Sequence, residues 1–210
     1  MQITHLGHAC VLVEAAGSRV LFDPGNFTDA WRTLTGLDAI VVTHQHPDHY
    51  DTEHVPALLA ANPEALLLLE PELCTRANRG EPFASGEQRQ IGDLTLTAVG
   101  GRHAIIHRDI PGIGNVGVVL EGEGKRFFHP GDSLDTAPED IDVVAVPAYG
   151  PWAAMKETID FVRAVGAEHG FCIHEGLLNE RGWKLGFDRF SEMSDTRFHD
   201  LRDGKPFELA

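Results

Sequence analysis

The 210-residue sequence contains only three cysteines, Cys10, Cys74 and Cys172. An odd number with no Cys-x-x-Cys pair excludes a disulfide framework or a cysteine zinc knot as the organising device, and it fits a reducing compartment. No run of about 18 apolar residues occurs, so no segment is suited to span a bilayer as a helix. Strand-like sequence begins at Ile3 with no basic segment and apolar stretch before it, and a cytoplasmic location is expected. Positive charge is scarce: 17 Lys and Arg stand against 32 Asp and Glu, a formal net charge of -15. Such a field repels phosphate backbones and makes nucleic acid an unlikely partner, leaving a small molecule as the expected substrate. There is no Gly-x-Ser-x-Gly and no Cys/His arrangement suited to nucleophilic catalysis. Residues 112–117 have Gly-x-Gly-x-x-Gly spacing, but Pro111 precedes them and the strand-like Val118-Val119-Leu120 follows. A dinucleotide loop needs a strand before and a helix after, so that reading is excluded.

What the sequence does have is histidine in one place. His44-Gln45-His46-Pro47-Asp48-His49-Tyr50-Asp51 follows the β-branched run of residues 39–43. Imidazole nitrogen and carboxylate oxygen suit zinc, iron or manganese, and His is neutral and available near pH 7. His44 and His46, two apart, point the same way in an extended segment, while Asp48 and His49, past Pro47, begin a turn toward a second position. One loop is thus able to serve two adjacent ions. A solvated loop before a helix capped by Asp51 is the bland alternative, and it suits a lone His better than this cluster.

His-x-His-x-Asp-His at a strand end resembles the signature of the metallo-β-lactamase superfamily, mostly hydrolytic metalloproteins. The opening Ile3-Thr4-His5-Leu6-Gly7-His8-Ala9-Cys10 and Leu21-Phe22-Asp23-Pro24-Gly25 resemble its compact branch of ascorbate-6-phosphate lactonase-like and N-acylphosphatidylethanolamine phospholipase D-like proteins. The resemblance implies an α/β fold, a four-layer αββα sandwich, over residues 1–210 as a single domain. It also implies a ligand set: His44, His46 and His103 for one ion, Asp48, His49 and His174 for the other, with Asp132 bridging. The implied cofactors are two divalent ions, zinc first, with manganese or iron as alternatives, since this donor set does not discriminate by softness. The implied activity is hydrolysis of a small ester, lactone or phosphodiester by an activated water. Asp48, Asp132 and His107 are the residues expected to take part in the chemistry. A redox enzyme of the same fold and a metal-binding scaffold without turnover are the rival readings.

Elsewhere the expectations are open or modest. Arg102, His107, Arg108 and Tyr149-Gly150-Pro151-Trp152 are candidates for binding an anionic and an apolar substrate group. His8 is either a turn residue or a contact at the pocket, and Asp23 either a turn former or a carboxylate orienting a ligating His. His129 faces pocket or core, and Cys172 is expected buried and inert. His103 is preferred to His107 as the third imidazole because it directly follows Gly100-Gly101, while His107 lies roughly 13 Å further along an extended chain. Helices are expected over residues 29–34, 52–61, 71–79, 155–165 and, shortly, 187–193. Strands are expected over 3–14, 19–22, 39–43, 66–70, 89–91, 94–99, 116–121, 126–129, 143–147, 168–173 and 197–201.

Overall fold

The computed structural model describes residues 1–209. Two seven-stranded sheets pack face to face. The first is built from β1 (Gln2–Gly7), β2 (Cys10–Ala15), β3 (Ser18–Phe22), β4 (Ala39–Val42), β5 (Leu66–Leu69) and β6 (Glu81–Pro82). The second uses β7 (Gln88–Ile91), β8 (Leu94–Gly100), β9 (Val116–Gly122), β10 (Lys125–His129), β11 (Val143–Pro147), β12 (His169–Ile173) and β13 (Arg197–His199). A last strand, β14 (Phe207–Glu208), returns to pair with β1 in the first sheet. Each sheet changes character halfway. β1, β2 and β3 form an antiparallel meander, and β3, β4, β5 and β6 then run parallel. Likewise β7 to β10 are antiparallel and β10 to β13 parallel. The parallel steps carry the helices α1 (Val55–Ala61), α2 (Pro71–Ala77), α3 (Met155–Val165) and α4 (Glu180–Met193).

The period of two explains why the central strands read as unbroken apolar runs. In β4, Ala39 and Val41 join the core between the sheets, while Ile40 and Val42 pack outward with Val55 and Leu58 of α1. In β11, Val143 and Ala145 face inward, and Val144 and Val146 meet Phe161, Val162 and Val165 of α3. Both faces of these strands are covered, giving the helix, sheet, sheet, helix order. Phe127 sits at the middle of the inner core, 5.5 Å from Phe22 and 6.3 Å from Phe171 between ring centroids. Among the described residues no helix is long and apolar enough to cross a membrane.

Four expectations are corrected. Residues 29–34 are turns, not a helix: fully buried Trp31 donates its indole N–H to the Gly25 carbonyl at 2.9 Å, and Thr28 Oγ1 donates to the Leu6 carbonyl at 2.6 Å. Tertiary contacts there override the helical spacing. α1 starts at Val55 and not near Thr52, because the Asp51 carboxylate accepts the Glu53 and His54 N–H groups in a capping turn. α4 is much longer than the expected 187–193. Asn179 caps it by accepting the Gly182 N–H at 3.0 Å, and Trp183, Gly186 and Phe190 form its buried stripe. Finally, β13 stops at His199, and the two-residue strands β6 and β14 carry too little pattern to be read locally.

Phe127→Ala should lower the unfolding free energy by about 3–5 kcal/mol through lost transfer energy and the cavity left behind. Urea denaturation measures it. A loss below about 1 kcal/mol would mean the ring is not part of the close-packed centre.

Candidate metal centre

The candidate ligands lie on turns beyond the carboxyl ends of the strands, where an α/β sheet exposes its loops. Residues 43–51 follow β4, His103 follows β8, Asp132 follows β10 and His174 follows β12. The structure brings them into two adjacent groups. His44, His46, His103 and Asp132 form one, with one ligand atom from each within 4.8 Å of the others, and His8, Asp48, His49 and His174 form the second by the same measure. Asp132 stands between them. Its Oδ2 lies 3.3 Å from His103 Nε2 and 3.8 Å from His44 Nε2, while its Oδ1 lies 2.8 Å from His174 Nε2 and 3.1 Å from His49 Nε2.

Hydrogen bonding within the site does not account for this packing. His44 Nε2 faces His46 Nδ1 at 3.0 Å, and His49 Nε2 faces His174 Nε2 at 3.1 Å. Each nitrogen pair shares at most one proton. His103 Nε2 and Asp132 Oδ1 are buried and make no hydrogen bond of acceptable angle, although imidazole nitrogens stand 2.8 and 3.1 Å from Asp132 Oδ1. Buried polar atoms normally find partners, so orphaned atoms converging on common points need another explanation. Zinc–nitrogen bonds of about 2.0–2.1 Å place tetrahedral ligand atoms roughly 3.3 Å apart, close to the spacings here. The residues fit a divalent ion in each group.

The opposite ring nitrogens are held, which leaves the inward ones free. His49 Nδ1 donates to Asp23 at 2.7 Å, His103 Nδ1 to the Ala104 carbonyl at 2.6 Å and His174 Nδ1 to the Tyr149 carbonyl at 2.9 Å. His44 Nδ1 pairs with Thr43 Oγ1 at 3.0 Å. Such partners set the tautomer and orient the ring for coordination. Asp23 is thus placed to orient the His49 ring. Three non-glycine residues at the rim, His8, Asp23 and His174, have φ of 53°, 46° and 67°. Left-handed backbone at these residue types persists where surrounding contacts over-determine it, often at functional sites.

Charge is balanced in the same network. Burial would raise the Asp132 carboxyl, but the His174, His49 and His44 rings hold it well below the usual carboxylate range. Burial works against a proton on His49, yet the Asp132 and Asp23 carboxylates hold its pKa well above the ordinary value. His44 is pushed well below by burial and by its imidazole neighbours. Burial would also raise Asp48, which the His8 hydrogen bond and His49 bring down to about 2.

Other candidates lie apart from these groups. His107 is more than half exposed on the 101–115 loop, where its Nδ1 accepts the Asp109 N–H at 3.1 Å. Arg102 and Arg108 are exposed as well. His129 points into the core: Nε2 donates to the Ala9 carbonyl at 2.9 Å, Nδ1 accepts the Gly131 N–H at 3.2 Å, and the ring stacks on Phe22. Cys172 is buried beside Ile159 and Phe190, and burial pushes its thiol pKa far up. Sequence reasoning missed Asn115, whose side chain donates to the Pro130 carbonyl and accepts the Asp132 N–H, each at 2.9 Å. The available signal was Gly131: with φ of 61°, any Cβ there would lie 2.3 Å from Asn115 Oδ1, so this turn demands glycine.

Trp152 covers one side of the centre, donating its indole N–H to Asp132 Oδ2 at 3.1 Å. Beyond it runs a groove of about 540 Å³ lined by Ala104, Ile105, Leu134, Trp152 and Phe161, with Asp135, Glu157 and Asp160 among its charged walls.

An αββα sandwich with two His/Asp groups able to hold metal at its strand ends is the arrangement of metallo-β-lactamase-fold proteins, and the relatives of this chain include metal-dependent hydrolases. Residues 2–169 match the family model of the β-lactamase superfamily domain, and the chain belongs to that superfamily, in its metallo-β-lactamase-fold form. Protein Rv0786c of Mycobacterium tuberculosis is 42% identical over 207 residues, covering 96% of both chains. A UPF0173 metal-dependent hydrolase of Carboxydothermus hydrogenoformans is 29% identical over 195 residues, covering 83% of this chain and 84% of that one. Among solved structures, Igni18, a metallo hydrolase from Ignicoccus hospitalis, superposes with a TM-score of 0.74 at 15% identity, covering 100% and 99% of the two chains. At that identity the likeness is one of fold.

His103→Ala should lose bound metal, whereas His107→Ala should keep it, with any loss confined to rate; elemental analysis of the two purified variants separates them, and the reverse pattern would exchange their roles. Because the Asp132 and Asp23 carboxylates favour a proton on His49 and ligation through Nε2 needs that nitrogen bare, metal binding should release protons and its apparent affinity should rise with pH. Calorimetry in buffers of different ionisation heat reads this directly. Heats independent of the buffer would contradict it.

Proposed function

We propose that this metal-dependent hydrolase cleaves a small carboxylic ester or lactone bearing an apolar group, with two divalent ions, zinc foremost, held by His44, His46, His103, Asp48, His49 and His174 and bridged by Asp132. The observation that carries the reaction type is the division of the Asp132 carboxylate, one oxygen toward each imidazole group. When bound, such ions would lower the pKa of a water toward 7 and polarise the carbonyl under attack. The chain supplies the rest. Imidazole Nδ1–H groups held by Asp23, Ala104 and Tyr149 keep each Nε2 aimed inward. Asp48 is the ligand carboxylate with solvent access, its side chain 19% exposed against 5% for Asp132, and it is suited to orient the attacking water by accepting a hydrogen bond from it. Trp152 shuts solvent from the far side of Asp132.

The choice of ester or lactone over phosphodiester rests on the surroundings. The groove beside Trp152 is lined by apolar side chains, with Asp135, Glu157 and Asp160 on its wall and no Lys or Arg among its lining residues. Exposed Phe27, Ile105, Tyr149 and Leu177 stand on loops that also carry contacts to the two groups. An apolar, locally acidic surface beside the centre favours an uncharged ester group over a second phosphate charge.

Chromogenic esters, lactones and phosphodiesters assayed with zinc, manganese and iron test this reading. Turnover of apolar esters or lactones should exceed that of phosphodiesters at least tenfold, a difference of about 1.4 kcal/mol in activation free energy. Asp132→Ala should abolish it. A preference for phosphodiesters would overturn the substrate class, and oxygen consumption without hydrolysis would overturn the reaction class.

A further inference from the structure

His8 belongs to neither the loop nor the strand ends that carry the expected ligands, yet its side chain is 1% exposed and sits against the second group. Its Nε2 lies 2.9 Å from Asp48 Oδ2. A carboxylate accepts and does not donate, so Nε2 carries the hydrogen and Nδ1 is bare, which agrees with Nδ1 being buried without a partner. The ring stacks on His174 at 4.4 Å and 22° between planes, and on its other side meets Phe27 at 4.5 Å. Gly176 leaves the room for it, since a Cβ at that position would come 3.1 Å from His8 Nδ1.

The backbone at His8 is clamped as firmly as the ring. Its N–H donates to Glu175 Oε1 at 2.6 Å, and its carbonyl accepts from His5 Nε2 at 2.9 Å and from the His174 N–H at 3.1 Å. These contacts hold φ at 53°, where a residue with a Cβ is strained. A turn so closely determined, ending in one hydrogen bond to a partly exposed carboxylate, has a specific effect: it removes the rotational freedom of Asp48 while leaving His44, His46 and His103 untouched.

We propose that His8 is a positioning residue for the second ion site, orienting the Asp48 carboxylate through Nε2–H and buttressing the His174 ring, so that it governs the affinity of one ion and not the other. This rests on the two-group assignment above. The hydrogen bond and the stacking are separable by substitution. His8→Phe keeps the ring and loses the donor, whereas His8→Gln loses the ring and keeps an N–H near the position of Nε2.

The test uses the zinc-loaded chain, with each ion's affinity measured by chelator competition and the second site read also through the visible absorption of a cobalt-substituted sample. In His8→Phe the first ion should bind as in the native chain and the second should weaken roughly 10–100-fold, the usual cost of losing a partner behind a ligand. His8→Gln should restore most of that loss. In an Asp48→Asn background, His8→Phe should add nothing, because its route of action is already gone. Native affinity for both ions in His8→Phe, or equal weakening of both, overturns the proposal. Should the variants fail to fold, nitrogen-15 NMR of the native chain still decides. The His8 Nε2 proton should be observable and protected, and a chain with that ring deprotonated at Nε2 overturns the proposal. A native chain that binds no zinc but shows this proton would overturn the two-group reading and leave the His8–Asp48 contact standing.

Discussion

The rim of this sandwich depends on one carboxylate that touches no expected ion. Asp23 is fully buried at the end of β3, and it accepts hydrogen bonds from the Thr43 N–H and hydroxyl at 2.8 Å each and from His49 Nδ1 at 2.7 Å. A buried carboxylate is costly unless its lone pairs are occupied, and here they are. The tie continues across the sandwich. The Thr43 carbonyl accepts the Val116 N–H at 2.9 Å, and neighbouring Asn115 holds the backbone of Asp132. Hydrogen bonds and the Asn115–Val116 backbone therefore link the first sheet through the His-rich loop to Asp132 in the second. Connected polar networks of this kind rigidify a site when every member is satisfied.

Much of the fold was legible because the central strands are apolar on both faces, and the runs at 39–43 and 143–147 follow directly from that burial. α3 was legible to the residue, since Ile159, Phe161, Val162 and Val165 repeat on one face and Gly166 ends the helix in left-handed backbone. α4 was hidden by Gly182 and Gly186, which lower helix propensity. Gly186 is buried on that helix, with Phe190 close to where its side chain would be. At the site, the spacing of His44, His46, Asp48 and His49 marked metal chemistry from the residues alone. His103, Asp132 and His174 stood out only through the family likeness, because each is a lone residue after its own strand. His8 and Asp23 stayed ambiguous for a plainer reason. Their partners lie 40 and 26 residues away, and no local pattern encodes a contact at that separation.

The charge distribution separates two scales. Over the whole chain, a formal net charge of -15 sets a repulsive background for anions. Within the rim, imidazoles outnumber carboxylates, and Asp132 and Asp48 are low in pKa because the rings surround them. Many of the ion pairs elsewhere, such as Lys184 with Asp188 and Arg189 with Glu192 on α4, are exposed and contribute little to stability. The electrostatic work of the molecule is concentrated where water is excluded.

The halving of the sandwich has a consequence for how the molecule holds together. His44, His46, Asp48 and His49 come from the first half of the chain, and His103, Asp132 and His174 from the second. Neither half carries a full donor set, so an ion seated at the rim would add a cross-link between the two sheets to the apolar core and to hydrogen bonds such as Val116 to Thr43 and His129 to Ala9. By mass action, free ion at a thousand times its dissociation constant deepens the folded state by about 4 kcal/mol relative to a chain that binds none when unfolded. With the proposed ligand set, metal availability would therefore bear on the persistence of the folded chain as well as on its chemistry.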